Sequence, residues 1–228
     1  MKIKRTLPHA TISEHDGVRF LHLDSIWVQG AIRIARPRVI ELEYVQRMMA
    51  WLLWRPEADS DEGLRRELSQ AHAVQLGLGA GTITRFCREV LRMRATAVEL
   101  NPDVVAACRM WFRLPSDDAL LRVVDADAGE WVHKAANQHC ADVLCVDLYD
   151  QDAAAPVLDS AEFYAGCRGV LQPGGVMSLN LFGRDSSFER SAGHVADAFG
   201  GDQVWRLRPT REGNTVLIAG RELEVPSR

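Results

Sequence analysis

Apolar positions along this chain keep three different periods in turn. Between residues 10 and 42 they alternate with polar ones, as in Val18-Arg-Phe-Leu-His-Leu, the pattern of a half-buried strand. Asp16-Gly17 supplies a hairpin turn before that run, and a second turn is expected at Asp24-Ser25, ahead of Ile26-Trp-Val-Gln-Gly-Ala-Ile-Arg-Ile. Arg36-Pro37-Arg38 interrupts the pattern, and Val39-Ile-Glu-Leu predicts another strand. From Tyr44 the period becomes helical: Tyr44, Val45, Met48, Met49, Leu52 and Leu53 share one broad face, and Pro56 ends it. Beyond the acidic connection Glu57–Gly63, short apolar runs at 73–76, 95–100, 121–124, 141–146 and 176–181 alternate with helical stretches.

That order predicts an α/β fold: a Rossmann-like, doubly wound, mostly parallel sheet with helices on both faces, preceded by a small antiparallel β element. Residues 1–43 are expected to form the β element and residues 44–228 the nucleoside-binding domain. Within the second, Glu57–Gly63 is the best candidate boundary. Gln203–Leu207 and Thr215–Ala219 have no helix between them and predict an antiparallel edge pair.

Composition narrows the function classes. The 228 residues are 47% hydrophobic and 25% charged, ordinary for a globular protein with a real core. No apolar run approaches a transmembrane span, and the basic N-terminus has no apolar stretch behind it, so neither a membrane nor secretion is expected. The net charge of −4 and the lack of a Lys- or Arg-rich block argue against a nucleic-acid partner. Five cysteines without C-x-x-C spacing suit a reducing cytoplasm.

The candidate chemistry gathers around Leu76-Gly-Leu-Gly-Ala-Gly-Thr82, where a buried strand runs through three alternating glycines into a helix. Gly77, Gly79 and Gly81 let the backbone take φ > 0 and let a ligand come close to the main chain. Carboxylates follow the successive strands: Glu99, then Asp127, then Asp147. Glu99 stands 22 residues after Gly77, the spacing of an acid that accepts from ribose hydroxyls. Few cations surround the loop to balance a diphosphate. The set suits a nucleoside with an amino group and a positive centre, which S-adenosylmethionine and its decarboxylated form both are.

Leu76–Thr82, Val98-Glu-Leu-Asn-Pro102, Asp127-Ala128, Asp142-Val-Leu-Cys-Val-Asp-Leu-Tyr-Asp150, Phe163-Tyr164 and Leu171-Gln-Pro-Gly-Gly175 together resemble the spermidine synthase (polyamine aminopropyltransferase) family, within the class I S-adenosylmethionine-dependent methyltransferase fold. The N-terminal strands and Val45-Gln-Arg-Met-Met49 resemble that family's β domain and junction helix. The resemblance implies aminopropyl transfer from decarboxylated S-adenosylmethionine to a small-molecule amine, by a homodimer, with no metal. It implies that the glycine loop and Gln46 hold the donor, Glu99 its ribose and Asp127 its adenine amino group. Asp147 would stand beside the attacking amine, with Asp150 and Tyr149 on the acceptor. The chain departs from the family at Ala80, where an aspartate that contacts the donor's amine is usual, at Val45 for a tyrosine, and at Pro209-Thr-Arg-Glu-Gly213, which lacks the family's tyrosine. Ala80 favours the alternative of a methyltransferase using S-adenosylmethionine itself; a non-catalytic nucleoside-binding homologue is the third reading.

Overall fold

A computed structural model describes residues 7–54, 60–149, 158–182 and 186–223. Strands β1 (Ala10–His15), β2 (Val18–Leu23) and β3 (Gly30–Arg33) form an antiparallel sheet. Its first turn is the Asp16-Gly17 pair, with φ of 48° and 73°, the handedness that matches strand twist in a two-residue hairpin. Val39-Ile-Glu-Leu is not a fourth strand. Ile40 turns into the core and the segment leads directly into helix α1 (Glu43–Met48). The long helical stretch expected from Tyr44 continues past Met48 as a 3-10 turn, Met49–Trp54, which buries Met49 and Trp51.

Helix α2 (Asp61–Gln70), capped by Ser60, precedes the alternating part. There follow β4 (His72–Leu76), α3 (Thr82–Glu89), β5 (Arg94–Glu99), α4 (Pro102–Trp111), β6 (Leu121–Asp125), α5 (Ala128–Val132) and β7 (Ala141–Val146). The chain ends with α6 (Ala161–Val170), β8 (Leu171–Phe182), α7 (Ser186–Phe199), β9 (Val204–Arg206) and β10 (Asn214–Gly220). The seven-stranded sheet has the order β6-β5-β4-β7-β8-β10-β9. Pairing is parallel from β6 to β8, and β10 runs antiparallel between β8 and β9, as the missing crossover helix requires. β4 is buried along its whole length, so it shows no alternation, and its two polar residues, His72 and Gln75, are buried and hydrogen-bonded.

β4 is also where the winding reverses, with β5 on one side and β7 on the other. The carboxyl ends of β6, β5, β4 and β7 therefore set Asp127, Glu99, Gly77 and Asp147 in a row along one sheet edge. The N-terminal sheet closes over that edge and shares its core with the larger sheet: Leu21 and Ile32 belong to the same buried cluster as Ile83, Phe112 and Val143. Polar ties fix the contact. The Thr82 hydroxyl donates to the Ala31 carbonyl (3.0 Å), Asn101 Nδ2 to the Pro8 carbonyl (2.8 Å), and Arg85 to the Pro37 carbonyl.

Candidate active site

Between the sheet edge and the N-terminal strands lies a cavity of about 620 Å³, the size of a small-molecule site. Its inner wall comes from the strand ends and its outer wall from the β2–β3 connection, where Ile26, Trp27 and Val28 are exposed at the rim.

The glycine loop is shaped by close approach. Gly77 has φ of 81°, and a Cβ there would lie 2.2 Å from the Asp147 carbonyl oxygen. Gly79 has φ of 51°, and a Cβ there would lie 2.8 Å from the Gln29 carbonyl oxygen. Both line the cavity. Gly81 does not. It begins α3 with φ of 67° and faces Leu114 and Leu78, so its glycine serves the turn rather than a ligand.

Glu99 braces this loop. One carboxylate oxygen accepts from Leu78 N–H and the other from Asn101 N–H, each at 2.8 Å. Burial pushes its carboxyl above the ordinary range, and these backbone donors oppose the shift. Glu99 also lines the cavity, and a carboxylate can accept more hydrogen bonds than the backbone takes up here, which is what a pair of hydroxyls needs. Asp127 caps α5, accepting from Glu130 N–H through Oδ1 (3.0 Å), and leaves Oδ2 for a donor such as an exocyclic amine. Val98, Leu100, Val104, Ala126 and Leu158 supply apolar wall between these two acids. The residues present fit a nucleoside.

Asp147 follows β7 and is the most constrained of the acids. Asn180 Nδ2 donates to its Oδ1 (2.9 Å) and the Tyr44 hydroxyl donates to its Oδ2 (3.1 Å). Burial raises its carboxyl above the usual range, opposed by the Asn180 and then the Tyr44 hydrogen bond. The same burial, with the neighbouring Asp147 charge, holds the Tyr44 hydroxyl well above a free phenol, so Tyr44 stays a proton donor. Asn180 is itself oriented from behind, because Asn214 Nδ2 donates to its Oδ1 (3.1 Å). A carboxylate lifted toward neutrality and locked in one rotamer is suited to orient an amine and take its proton.

Besides Gly81, three expected residues are placed differently or lie outside the described residues. Gln46 is absent from the cavity lining and donates to the Ile40 carbonyl through Nε2 (2.8 Å); α1 points Tyr44 inward, and a residue two positions on lies roughly on the opposite side of a helix. Tyr149 lines the cavity, but its hydroxyl donates to the Asn180 carbonyl (3.1 Å) and accepts from Phe182 N–H, leaving only the ring for a ligand. Asp150 lies outside the described residues. Conversely, Tyr44, Asn180, Asn214 and Gln29 enter the site without having been singled out in the sequence. A signal for one existed: Asn180 is a polar residue inside the otherwise apolar run Val176–Leu181, and such a residue needs a buried partner. His72, the first residue of β4, is structural. Its Nδ1 donates to the Cys140 carbonyl (2.7 Å), its Nε2 accepts from the Thr96 hydroxyl (2.9 Å), and burial keeps it neutral by lowering its pKa.

The family model of the spermine/spermidine synthase domain matches residues 72–184. A polyamine aminopropyltransferase of Neisseria meningitidis serogroup A is 30% identical over 217 residues, 95% of this chain and 77% of that protein. Among solved structures, a probable spermidine synthase from Corynebacterium glutamicum superposes with a TM-score of 0.73 at 21% identity, covering 92% of this chain and 76% of that one. Human methyltransferase-like protein 13, solved in complex with SAH, superposes at 0.67 and 21% identity, covering 82% and 85%. These likenesses establish the methyltransferase-type fold.

Proposed function

We infer that this chain, which belongs to the spermine/spermidine synthase family, is a transferase that moves an aminopropyl group from decarboxylated S-adenosylmethionine to a small-molecule amine. One observation carries the choice of donor. The cavity is lined by the carboxylates Glu99, Asp127, Asp147 and Glu212 and, among the described residues, by no lysine, arginine or histidine. Decarboxylated S-adenosylmethionine carries a sulfonium and an ammonium and no carboxylate, so it meets attraction throughout. S-adenosylmethionine would bring a carboxylate into a cavity with no cation to receive it.

In this reading Gly77 and Gly79 pass the donor's chain close to the backbone, Glu99 accepts from the ribose hydroxyls and Asp127 from the adenine amine. Gly81 shapes the turn, and Gln46 acts only through the backbone it holds. The acceptor's amine, pKa near ~10 when free, loses its proton to Asp147. Its lone pair then attacks the propyl carbon attached to sulfur; the C–N bond forms as the C–S bond breaks, and the thioether leaves with the electron pair. Asn180 and Tyr44 keep Asp147 aimed at the amine and the Tyr149 ring walls the acceptor; Asp150, outside the described residues, is assigned to the acceptor by the family resemblance alone. Positive sulfur makes the nucleoside a good leaving group, so the reaction as written calls on no metal. In-line positioning in a closed cavity supplies much of the rate.

Residues 1–43 serve as the outer wall and residues 44–228 as the nucleoside-binding domain. The five cysteines are free thiols, which suits the cytoplasm. No described helix is long and apolar enough to cross a membrane. The reading includes a homodimer that uses neither nucleic acid nor a membrane as partner.

A methyltransferase is the second reading, favoured by Ala80, which leaves the loop without a carboxylate for the donor's amine. Calorimetry with both donors, followed by mass spectrometry of the product from a panel of amines, separates the two. Preference for the decarboxylated donor and an aminopropyl mass gain are expected. Preference for the carboxylated donor with a methyl mass gain would overturn the first reading.

A further inference from the structure

Gln75 is a polar residue in the buried strand β4, 4% exposed and absent from the cavity lining. Its amide uses every hydrogen-bonding position it has. Nε2 donates to the Gly77 carbonyl (2.7 Å) and to the Leu78 carbonyl (3.2 Å). Oε1 accepts from Thr84 N–H (3.0 Å) and from the Thr84 hydroxyl (2.5 Å). Two donor hydrogens and two acceptor lone pairs are thus all matched, and the neighbours fix which end of the amide faces which. No other side chain of this length fits that set. A carboxylate has no hydrogen for the two carbonyls, and a hydrocarbon makes none of the four bonds.

Those bonds reach the glycine loop from the side opposite the cavity. The Gly77 carbonyl belongs to the same peptide unit as Leu78 N–H, which donates to Glu99 Oε2 (2.8 Å). One peptide plane therefore has Gln75 at its oxygen and Glu99 at its hydrogen. Gly77 takes φ of 81° and has no Cβ, so no side chain of its own resists a turn of that plane. Gly81 N–H shares the Leu78 carbonyl with Gln75 (2.9 Å) and closes the loop. Thr84 lies in α3 and is 2% exposed, so the far side of the amide is anchored to a buried helix.

We propose that Gln75 is a positioning residue for the nucleoside: it fixes the peptide between Gly77 and Leu78 so that Leu78 N–H holds the Glu99 carboxylate toward the ribose hydroxyls. This rests on the reading of Glu99 as the ribose acceptor, which aminopropyl and methyl transfer share. Gln75 touches no substrate in this arrangement. Its effect passes through one peptide group to the acid that does.

The test is calorimetry of methylthioadenosine and its 2′-deoxy counterpart with the wild type, Gln75→Met and Thr84→Val. The wild type should bind the ribose form about tenfold tighter than the deoxy form. Gln75→Met, of similar length and without the amide, should bind the ribose form about tenfold more weakly than the wild type and narrow that preference to about threefold or less. Thr84→Val removes the hydroxyl bond to Oε1 and leaves both Nε2 bonds to the loop. It should melt earlier yet keep the preference within about twofold of wild type. A preference that survives in Gln75→Met, or that Thr84→Val loses equally, makes Gln75 a packing residue only and overturns the proposal. Should Gln75→Met fail to fold by circular dichroism, Gln75→Asn is read by the same criteria, its amide being one methylene too short for the Gly77 carbonyl. Equal binding of the two nucleosides by the wild type overturns the ribose assignment of Glu99 itself, and the proposal with it.

Discussion

Gly30 and Ala80 are in direct contact across the two sheets: a Cβ at Gly30 would fall 2.5 Å from Ala80 N and 2.6 Å from Ala80 Cβ. Ala80 is 2% exposed and absent from the cavity lining. The position where the family usually places an aspartate is therefore a packing joint here. β3 lies so close to the glycine loop that one small residue must meet another.

Ala80→Asp should not supply the donor contact that the family's aspartate makes. It would press a carboxylate against Gly30 in a dry joint, which costs about 3 kcal/mol from overpacking and desolvation together. Urea unfolding should show the loss, and calorimetry should show no gain in donor affinity. A tighter donor complex in a variant of unchanged stability would contradict the joint.

Glu99→Gln should weaken donor binding by tenfold or more while leaving the fold intact. Leu78 N–H and Asn101 N–H approach opposite oxygens of the carboxylate, so an amide must aim its NH₂ at one of these donors. That misfit disturbs the loop and, on the proposed reading, removes a ribose acceptor at once. Donor titration followed by tryptophan fluorescence measures it.

Asp147→Asn should lower kcat roughly a hundredfold or more and make the chain more stable at neutral pH. Burial raises the Asp147 pKa above its unfolded value. Its contribution to stability is thus complete below the unfolded pKa and lost as pH rises through the folded one. The amide removes that loss and still suits its neighbours, accepting from Asn180 and donating to the Tyr44 oxygen. Thermal melts should show a gain of about 2–4 °C at pH 7.5 that fades toward pH 4.

Asn180→Leu should move the acidic limb of kcat/KM to higher pH. The Asn180 hydrogen bond is the larger of the two that stabilise the ionised Asp147, so its removal raises the carboxyl further. Tyr44→Phe should shift the limb in the same direction by less. A limb unmoved in both variants would mean that Asp147 is not the titrating base.

Much of this was legible in the chain itself. Short, mainly apolar runs without strict alternation marked the central parallel strands β4 and β7, because strands covered on both faces need no alternation. Asn101-Pro102-Asp103 marked the start of α4, because a side-chain acceptor and a residue lacking N–H satisfy the same helix end. The positions of Gly77, Glu99, Asp127 and Asp147 followed from strand ends alone, since parallel winding brings successive ends to one edge. What tertiary structure decided was direction and company. α1 turns Tyr44 inward and Gln46 outward, a choice of helix phase that a broad apolar face leaves open. Asn214 reaches the site only because β10 runs antiparallel beside β8, which sets it against Asn180, 34 residues away in sequence. Ala80 is buried because a separate sheet closes over it. Local pattern records which residues prefer burial or a turn; which partners they meet depends on pairings more than a hundred residues apart, as between Tyr44 and Asp147.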